Sequence, residues 1–132
     1  MPRKVLVVDD DRSFRQSCRM RLEFEGFEVA EATSWVDFTK AFYGSHEAPD
    51  LVLLDINLGP TLSGDKMLSA LKKGRENLAI RKKTKMILMS SLHEEEVADR
   101  AQKCGADGYL LKDDMCERGA ERFVTKLKSF LE

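Results

Sequence analysis

The stretch Asp50-Leu51-Val52-Leu53-Leu54-Asp55-Ile56-Asn57-Leu58 decides the architecture of this chain. Four apolar residues, Leu51 to Leu54, run straight into a carboxylate at Asp55. A run this short and without alternation suits a strand buried on both faces. The same figure recurs along the chain. Val5-Leu6-Val7-Val8 runs into Asp9-Asp10-Asp11, Met86-Ile87-Leu88-Met89 into Ser90-Ser91, and Tyr109-Leu110-Leu111 into Lys112. A fifth, weaker strand is expected over Phe27 to Glu31, where Phe27, Val29 and Glu31 alternate with Glu28 and Ala30.

Helical spacing fills the intervals. Phe14, Cys18, Leu22 and Phe24 mark a first helix from Ser13 to Glu25, with Gly26 as its C′ stop. Ser34 with Asp37 resembles a capping box opening a second helix through Ala41, Phe42 and Tyr43 to Gly44. Met67, Leu68 and Leu71 mark a third after Gly64, and Val97, Ala98, Ala101 and Cys104 a fourth ending at Gly105. Phe123, Val124, Leu127, Phe130 and Leu131 mark a fifth, expected to start near Asp113 or Asp114. Strand then helix, repeated in this way, requires an α/β fold: a parallel sheet with helices on both faces, because parallel strands need crossover connections.

The bulk properties agree. At 132 residues the chain suits one domain, and a chain of this size buries roughly two-thirds of its unfolded surface. With 22 basic and 23 acidic residues the net charge is −1, which argues against a generally basic nucleic-acid binder. Composition is 42% hydrophobic and 34% charged, that of a globular rather than a disordered chain. No apolar run exceeds four residues, so no transmembrane helix is expected. The polar cluster reached by Asp9 speaks against a secretory signal. Cys18, Cys104 and Cys116 form no CxxC pair and read as thiols in a reducing cytoplasm. His46 and His93 have no metal-like spacing and are expected at the surface, while Met67, Met86 and Met89 read as core. Lys72 to Lys85 carries seven basic residues against Glu76 alone, and is expected to be the solvated end of the third helix and a long loop.

The polar residues at the end of each apolar run carry the chemistry. In an open parallel sheet, ligands bind beyond the carboxyl ends of the strands. Asp9, Asp10, Asp11, Asp55, Ser90 and Lys112 all fall at that edge. Three carboxylates about 4 Å apart repel by about 4 kcal/mol per pair at an effective dielectric near 20, so a positive charge must offset them. Oxygen-only ligands favour a hard cation, and Mg²⁺ takes one or two carboxylates while retaining waters. Lys112 adds a fixed charge, and the Ser90 hydroxyl can donate to a further anionic oxygen. Carboxylate nucleophile, Mg²⁺, amine and hydroxyl are the parts needed to accept a phosphoryl group. Asp11 reads as a charge at the N-terminus of the first helix.

These residues, taken in order, resemble a response-regulator receiver domain of two-component signalling, similar to the single-domain chemotaxis-type regulators. The resemblance runs from Lys4 to about Leu131. It rests on Val7-Val8-Asp9-Asp10, on Asp50 through Leu58, on Ser63-Gly64, on Met89-Ser90-Ser91, and on Gly105-Ala106-Asp107-Gly108-Tyr109-Leu110-Leu111-Lys112. It implies a five-stranded, doubly wound, flavodoxin-like parallel sheet of strand order 2-1-3-4-5. It also implies a single receiver domain over residues 1–132, with no output domain in this chain.

The resemblance further implies a role for each matching residue. Asp55 would be the phosphoacceptor. Asp10 and Asp55 would bind Mg²⁺ directly, Asn57 would add its backbone carbonyl, and Asp9 would reach the metal through water. Ser90 would bind the phosphoryl group, and Lys112 would bond to the acidic site and then to phosphate. Tyr109 would be the aromatic whose rotamer reports activation, coupled through Ser90 to the face of fourth helix, last strand and fifth helix. Asn57 and Leu92 would flank the path of the hydrolytic water and set the lifetime of the phosphorylated state. The implied partners are a sensor histidine kinase or histidine phosphotransfer protein and a downstream target or output domain, with no direct nucleic-acid or membrane binding. A phosphorylation-dependent dimer is one further state open to such a domain. The implied setting is cytoplasmic, and the product is a conformation rather than a released chemical, so the chain is not expected to be an enzyme beyond catalysing its own phosphorylation and dephosphorylation.

The chain departs from the family pattern in two places. The segment from Asn57 to Ser63-Gly64 is one residue longer than usual, through Leu58-Gly59-Pro60-Thr61-Leu62. Asp113 follows Lys112 where many relatives have a proline joined through a cis peptide, so a different approach of Lys112 is expected. Three other functions compete with the receiver. A phosphotransferase of the haloacid-dehalogenase type would need a second acid two residues after Asp55, where this chain has Asn57. A nucleotide-binding domain would need GxGxxG or GxxxxGK[ST], and neither occurs. A degenerate receiver used only for docking would not need the complete set Asp9, Asp10, Asp55, Ser90 and Lys112.

Overall fold

The computed structural model describes residues 3–44, 48–58, 63–73, 84–116 and 120–132. Among these residues five strands alternate with five α-helices: β1 (Lys4–Val8), α1 (Arg12–Phe24), β2 (Glu28–Ala32), α2 (Trp35–Tyr43), β3 (Leu51–Asp55), α3 (Gly64–Lys73), β4 (Lys85–Ser90), α4 (Glu94–Cys104), β5 (Gly108–Leu111) and α5 (Glu121–Phe130). The strands form one parallel sheet in the order β2-β1-β3-β4-β5, as the resemblance implies. No helix among the described residues is long and apolar enough to cross a membrane.

The unalternated apolar runs are explained by the two cores. Val5, Val7, Leu51, Leu53, Ile87 and Met89 face α1 and α5, whose Phe14, Cys18, Leu22, Phe123, Val124 and Leu127 complete one cluster. Leu6, Val8, Val52, Leu54, Met86 and Leu88 face the other way, onto Phe38 and Phe42 of α2, Leu68 of α3 and Val97, Ala101 and Cys104 of α4. Each of these strands therefore buries successive side chains on opposite faces.

The local signals mostly act as expected. Asp11 caps α1, its side chain accepting from the amides of Ser13 and Phe14 at 3.0 and 3.3 Å. Gly26 takes φ +96° just beyond α1, and Gly105 φ +79° at the end of α4, as C-terminal helix stops require. Ser34 caps α2 by accepting from the Asp37 amide at 3.2 Å, but the Asp37 carboxylate accepts from the Thr33 amide and hydroxyl rather than from Ser34.

Three expectations are corrected. The fifth helix does not start at Asp113 or Asp114: Lys112–Cys116 form a 3-10 turn, and α5 begins at Glu121. Phe24 does not belong to the core face, being 81% exposed; it lies about 200° around the helix from Leu22, off the i, i+4 row of Phe14, Cys18 and Leu22. The second strand is displaced by one residue, to Glu28–Ala32, and Phe27 packs against the core ahead of it. His46, Gly59 to Leu62, the Gly74 to Lys83 part of the basic segment and the Cys116 side chain lie outside the described residues.

One glycine sets the approach of α3 to the sheet. A Cβ on Gly64 would lie 2.2 Å from the Asp55 carbonyl oxygen, and the Gly64 amide donates to the Ile56 carbonyl at 2.7 Å. No side chain fits between the start of α3 and the end of β3, so the Ser63-Gly64 pair holds these two backbones together beside Asp55.

Candidate functional site

Four strand ends build the site. From β1, Asp9 is fully buried and Asp10 exposed. The Asp9 amide donates to the Ala32 carbonyl at 3.0 Å, continuing the ladder one step beyond β1. Asp9 Oδ1 accepts from the Asp11 amide at 2.9 Å, and the Arg15 guanidinium donates to the Asp9 carbonyl at 2.9 Å. From β3, Asp55 is 3% exposed and its Oδ1 accepts from the Asn57 amide at 3.1 Å. From β4, buried Ser90 accepts the Leu92 amide on its Oγ at 3.1 Å, leaving its own O–H to donate elsewhere. From the end of β5, Lys112 Nζ lies 2.6 Å from Asp9 Oδ2 and donates to Asp55 Oδ2 at 3.2 Å.

The structure thus brings together Asp9, Asp10, Asp55 and Lys112, with Ser90 on the adjoining strand end and Asn57 two residues past Asp55. Carboxylate oxygens of Asp9, Asp10 and Asp55 all lie within 4.8 Å of one another. Asp9 Oδ2 is buried, close to the Lys112 amine, yet has no well-angled hydrogen bond. Three carboxylates against one amine leave the cluster anionic, and its donors are all oxygen, so the residues present fit a hard divalent cation such as Mg²⁺. Lys112 makes its contacts with no cis peptide among the described residues, so the Asp113 departure does not keep the amine from the pocket.

Electrostatics reflect this crowding. Burial, reinforced by the Asp9 charge and opposed by Lys112, pushes the Asp55 carboxyl up to about 6. Burial works against the Lys112 charge, but the close Asp9 carboxylate and the Asp55 charge outweigh it, and the amine is held above its ordinary value.

Tyr109 stands apart from the pocket. Its hydroxyl donates to Glu94 Oε2 at 2.8 Å, and Lys126 Nζ lies 3.9 Å from its ring centroid. Donation to Glu94, then burial, then the Glu94 charge raise its pKa. Leu92 is half-buried against the α2–α3–α4 core.

Sequence reasoning misses three supports. Arg15 clamps the Asp9 carbonyl while pairing with Glu31 at 2.9 Å; its place one turn past the Asp11 cap is the available signal. Phe14, which the helical spacing marks only as core, has its ring centroid 4.8 Å from Lys112 Nζ. The Glu94 and Lys126 contacts on Tyr109 join residues far apart in sequence and leave no local signal.

Comparison with known proteins places this geometry. Residues 5–122 match the response regulator receiver domain. The chemotaxis protein CheY of Treponema pallidum (strain Nichols) is 33% identical over 128 residues, 96% of this chain and 84% of that protein. The response regulator MprA of Mycobacterium sp. (strain KMS) is 36% identical over 114 residues, 85% of this chain but only 45% of that protein. Among solved structures, the CheY-like receiver domain protein of Methanospirillum hungatei JF-1 aligns with a TM-score of 0.74 and 27% identity, covering 99% of this chain and 94% of that one. The chain belongs to the response regulator receiver domain family, whose business is phosphorylation-dependent two-component signalling. Receiver domains bind Mg²⁺ through acidic residues, and Asp9, Asp10 and Asp55 form such a cluster here.

The raised Asp55 pKa has a signed consequence. Between about pH 4 and pH 6 the folded, metal-free protein binds more protons at Asp55 than the unfolded chain does. Stability contributed by this group is therefore full at low pH and lost as pH rises through that window. Urea unfolding of metal-free wild type and Asp55→Asn across pH 4 to 7 should show the variant gaining on wild type as pH rises, by about 2 kcal/mol in all. Parallel curves for the two proteins would place the burial strain elsewhere.

Proposed function

We propose that this chain is a phosphorylation-controlled switch in which Asp55 accepts a phosphoryl group from a sensor histidine kinase or histidine phosphotransfer protein. The observation that carries the reading is the convergence of the Asp9, Asp10 and Asp55 oxygens, with the Lys112 amine set against Asp9 and Asp55. In the transfer, the P–N bond of the donor phosphohistidine breaks and a P–O bond to the Asp55 carboxylate forms. Asp10 and Asp55 would hold Mg²⁺ directly, with the Asn57 backbone carbonyl, and Asp9 through water. When bound, the metal supplies positive charge against the phosphoryl oxygens. Lys112 supplies a second positive charge from the protein itself, and Ser90 an O–H donor.

Residues 1–132 act as one receiver unit in this reading, its output carried by a downstream partner or by a segment outside this chain. A cytoplasmic setting belongs with it, as does a phosphorylation-dependent dimer as one form of output. The chain's product is a conformation, which it reaches by catalysing its own phosphorylation.

The switch runs from Ser90 to Tyr109. A phosphoryl group draws the Ser90 hydroxyl inward and vacates space that the Tyr109 ring can enter. To enter, the ring must leave both Glu94 and Lys126, which hold it in the resting state. Such a switch needs contacts that differ between the two states. Asn57 and Leu92 flank the approach of the hydrolytic water; Leu92 can neither orient nor deprotonate it, which favours a long-lived signal.

Three measurements test these roles. Acetyl phosphate with Mg²⁺ should add the mass of one phosphoryl group, and Asp55→Asn should abolish it; undiminished labelling of the variant would remove Asp55 from the role. NMR spectra with and without beryllofluoride should differ at Tyr109 and from Val97 to Ala101, whereas changes confined to the acidic pocket would refute the coupling. Leu92→Glu should lose its phosphoryl group faster than wild type in excess Mg²⁺, by up to the roughly 10²-fold of a modest general base. An equal or slower rate would show that Leu92 only packs.

A further inference from the structure

Lys112 is held on three sides, and only two of them are carboxylates. Its amine lies 2.6 Å from Asp9 Oδ2 and 3.2 Å from Asp55 Oδ2. The third neighbour is the ring of Phe14, whose centroid is 4.8 Å from Nζ. That distance is well inside the range at which the negative face of an aromatic ring attracts an ammonium, and the attraction strengthens where water is excluded. The Lys112 side chain is only 13% exposed, so water is largely excluded here.

The ring is a fixed support. Phe14 is 8% exposed within the α1–α5 core. Its own amide donates to the Asp11 carboxylate at 3.3 Å. Its ring meets Phe123 of α5 edge-on, at 6.4 Å and 71°. Lysine has a flexible four-carbon stem. A buried aromatic face against the ammonium narrows the positions that stem can take.

We propose that Phe14 is a positioning residue of the phosphoryl pocket: its ring face holds the Lys112 ammonium beside Asp55 and so sets how tightly the site takes a phosphoryl group. This rests on Asp55 being the acceptor. Phe14 also fills space, and the two roles separate experimentally. Filling depends on volume, whereas the contact with Lys112 depends on electron density over the ring.

The test is a series of singly, doubly and triply fluorinated phenylalanines at position 14, read by beryllofluoride affinity in the presence of Mg²⁺. Fluorine draws density from the ring face at almost constant volume. Affinity should fall stepwise along the series, on the order of tenfold in all, while each variant stays folded and melts cooperatively. An independent readout is the NMR shift of the Lys112 ε-methylene protons in the metal-free protein. It should be displaced upfield by the ring and return to an ordinary value in Phe14→Leu. A flat affinity series in a protein that binds beryllofluoride, or ordinary ε-methylene shifts in wild type, would overturn the role of Phe14 alone. Wild type that takes neither beryllofluoride nor phosphoryl groups would overturn the acceptor reading, and the role of Phe14 with it.

Discussion

The ion pair of Lys112 with Asp9 and Asp55 is the constraint on which the rest of the molecule depends. Two buried carboxylates side by side are costly, and one amine shared between them offsets that cost only if it is held in reach of both. The sheet order makes this a demand on length. Asp9 follows β1, Asp55 ends β3, and Lys112 follows β5, with β4 between β3 and β5. Neighbouring strands lie about 4.8 Å apart, so the Lys112 and Asp55 side chains together must span roughly two strand spacings. A lysine is long enough to meet the aspartate across that gap, and the side chain of the intervening strand end must then be small. Ser90 fills that place, fully buried.

The supports around the pair share one logic: they fix backbone on one side and leave oxygen available on the other. Asp9 offers its carbonyl to Arg15, its Oδ1 to the Asp11 amide and its amide to Ala32. What is left is Oδ2, turned towards Lys112. Asp55 is held likewise, its Oδ1 on the Asn57 amide and its Oδ2 on Lys112. Gly64 brings the backbone of α3 against the same strand end, where any Cβ would strike the Asp55 carbonyl. The carboxylates are thus aimed before any ligand arrives, which is the arrangement that electrostatic binding sites require.

Much of this is legible in the chain itself, and the reason is physical. Strands buried on both faces leave no ambiguity of face, so Val5 to Val8, Leu51 to Leu54 and Met86 to Met89 declare themselves by composition, and the polar residue after each has to fall at one edge of the sheet. Phe27 to Glu31 reads one residue early because an edge strand is less completely buried and its charges are spoken for by a helix: Glu31 pairs with Arg15 and Arg19. The start of α5 misleads because Asp113 and Asp114 look like helix-opening acids, yet they lie in a 3-10 turn. Periodicity alone counts Phe24 as core, although it is two residues, not three or four, from Leu22. The contacts of Phe14 with Lys112, and of Tyr109 with Glu94 and Lys126, link side chains separated by 98, 15 and 17 positions in sequence. No window of sequence spans such pairs, and only the folded chain shows them.

The two margins of the sheet determine how this molecule can meet others. On β2, Arg19 of α1 donates to the Val29 carbonyl, and Glu28 and Glu31 place carboxylates along the strand. On β5, only four residues long, the Phe130 ring lies where a side chain at Gly108 would otherwise stand. Short, charged and covered margins are poor templates for adding another strand. At these margins a partner finds little ribbon to extend. Recognition there becomes a matter of side-chain surface, which can diverge from one copy of the fold to the next while the sheet beneath stays the same.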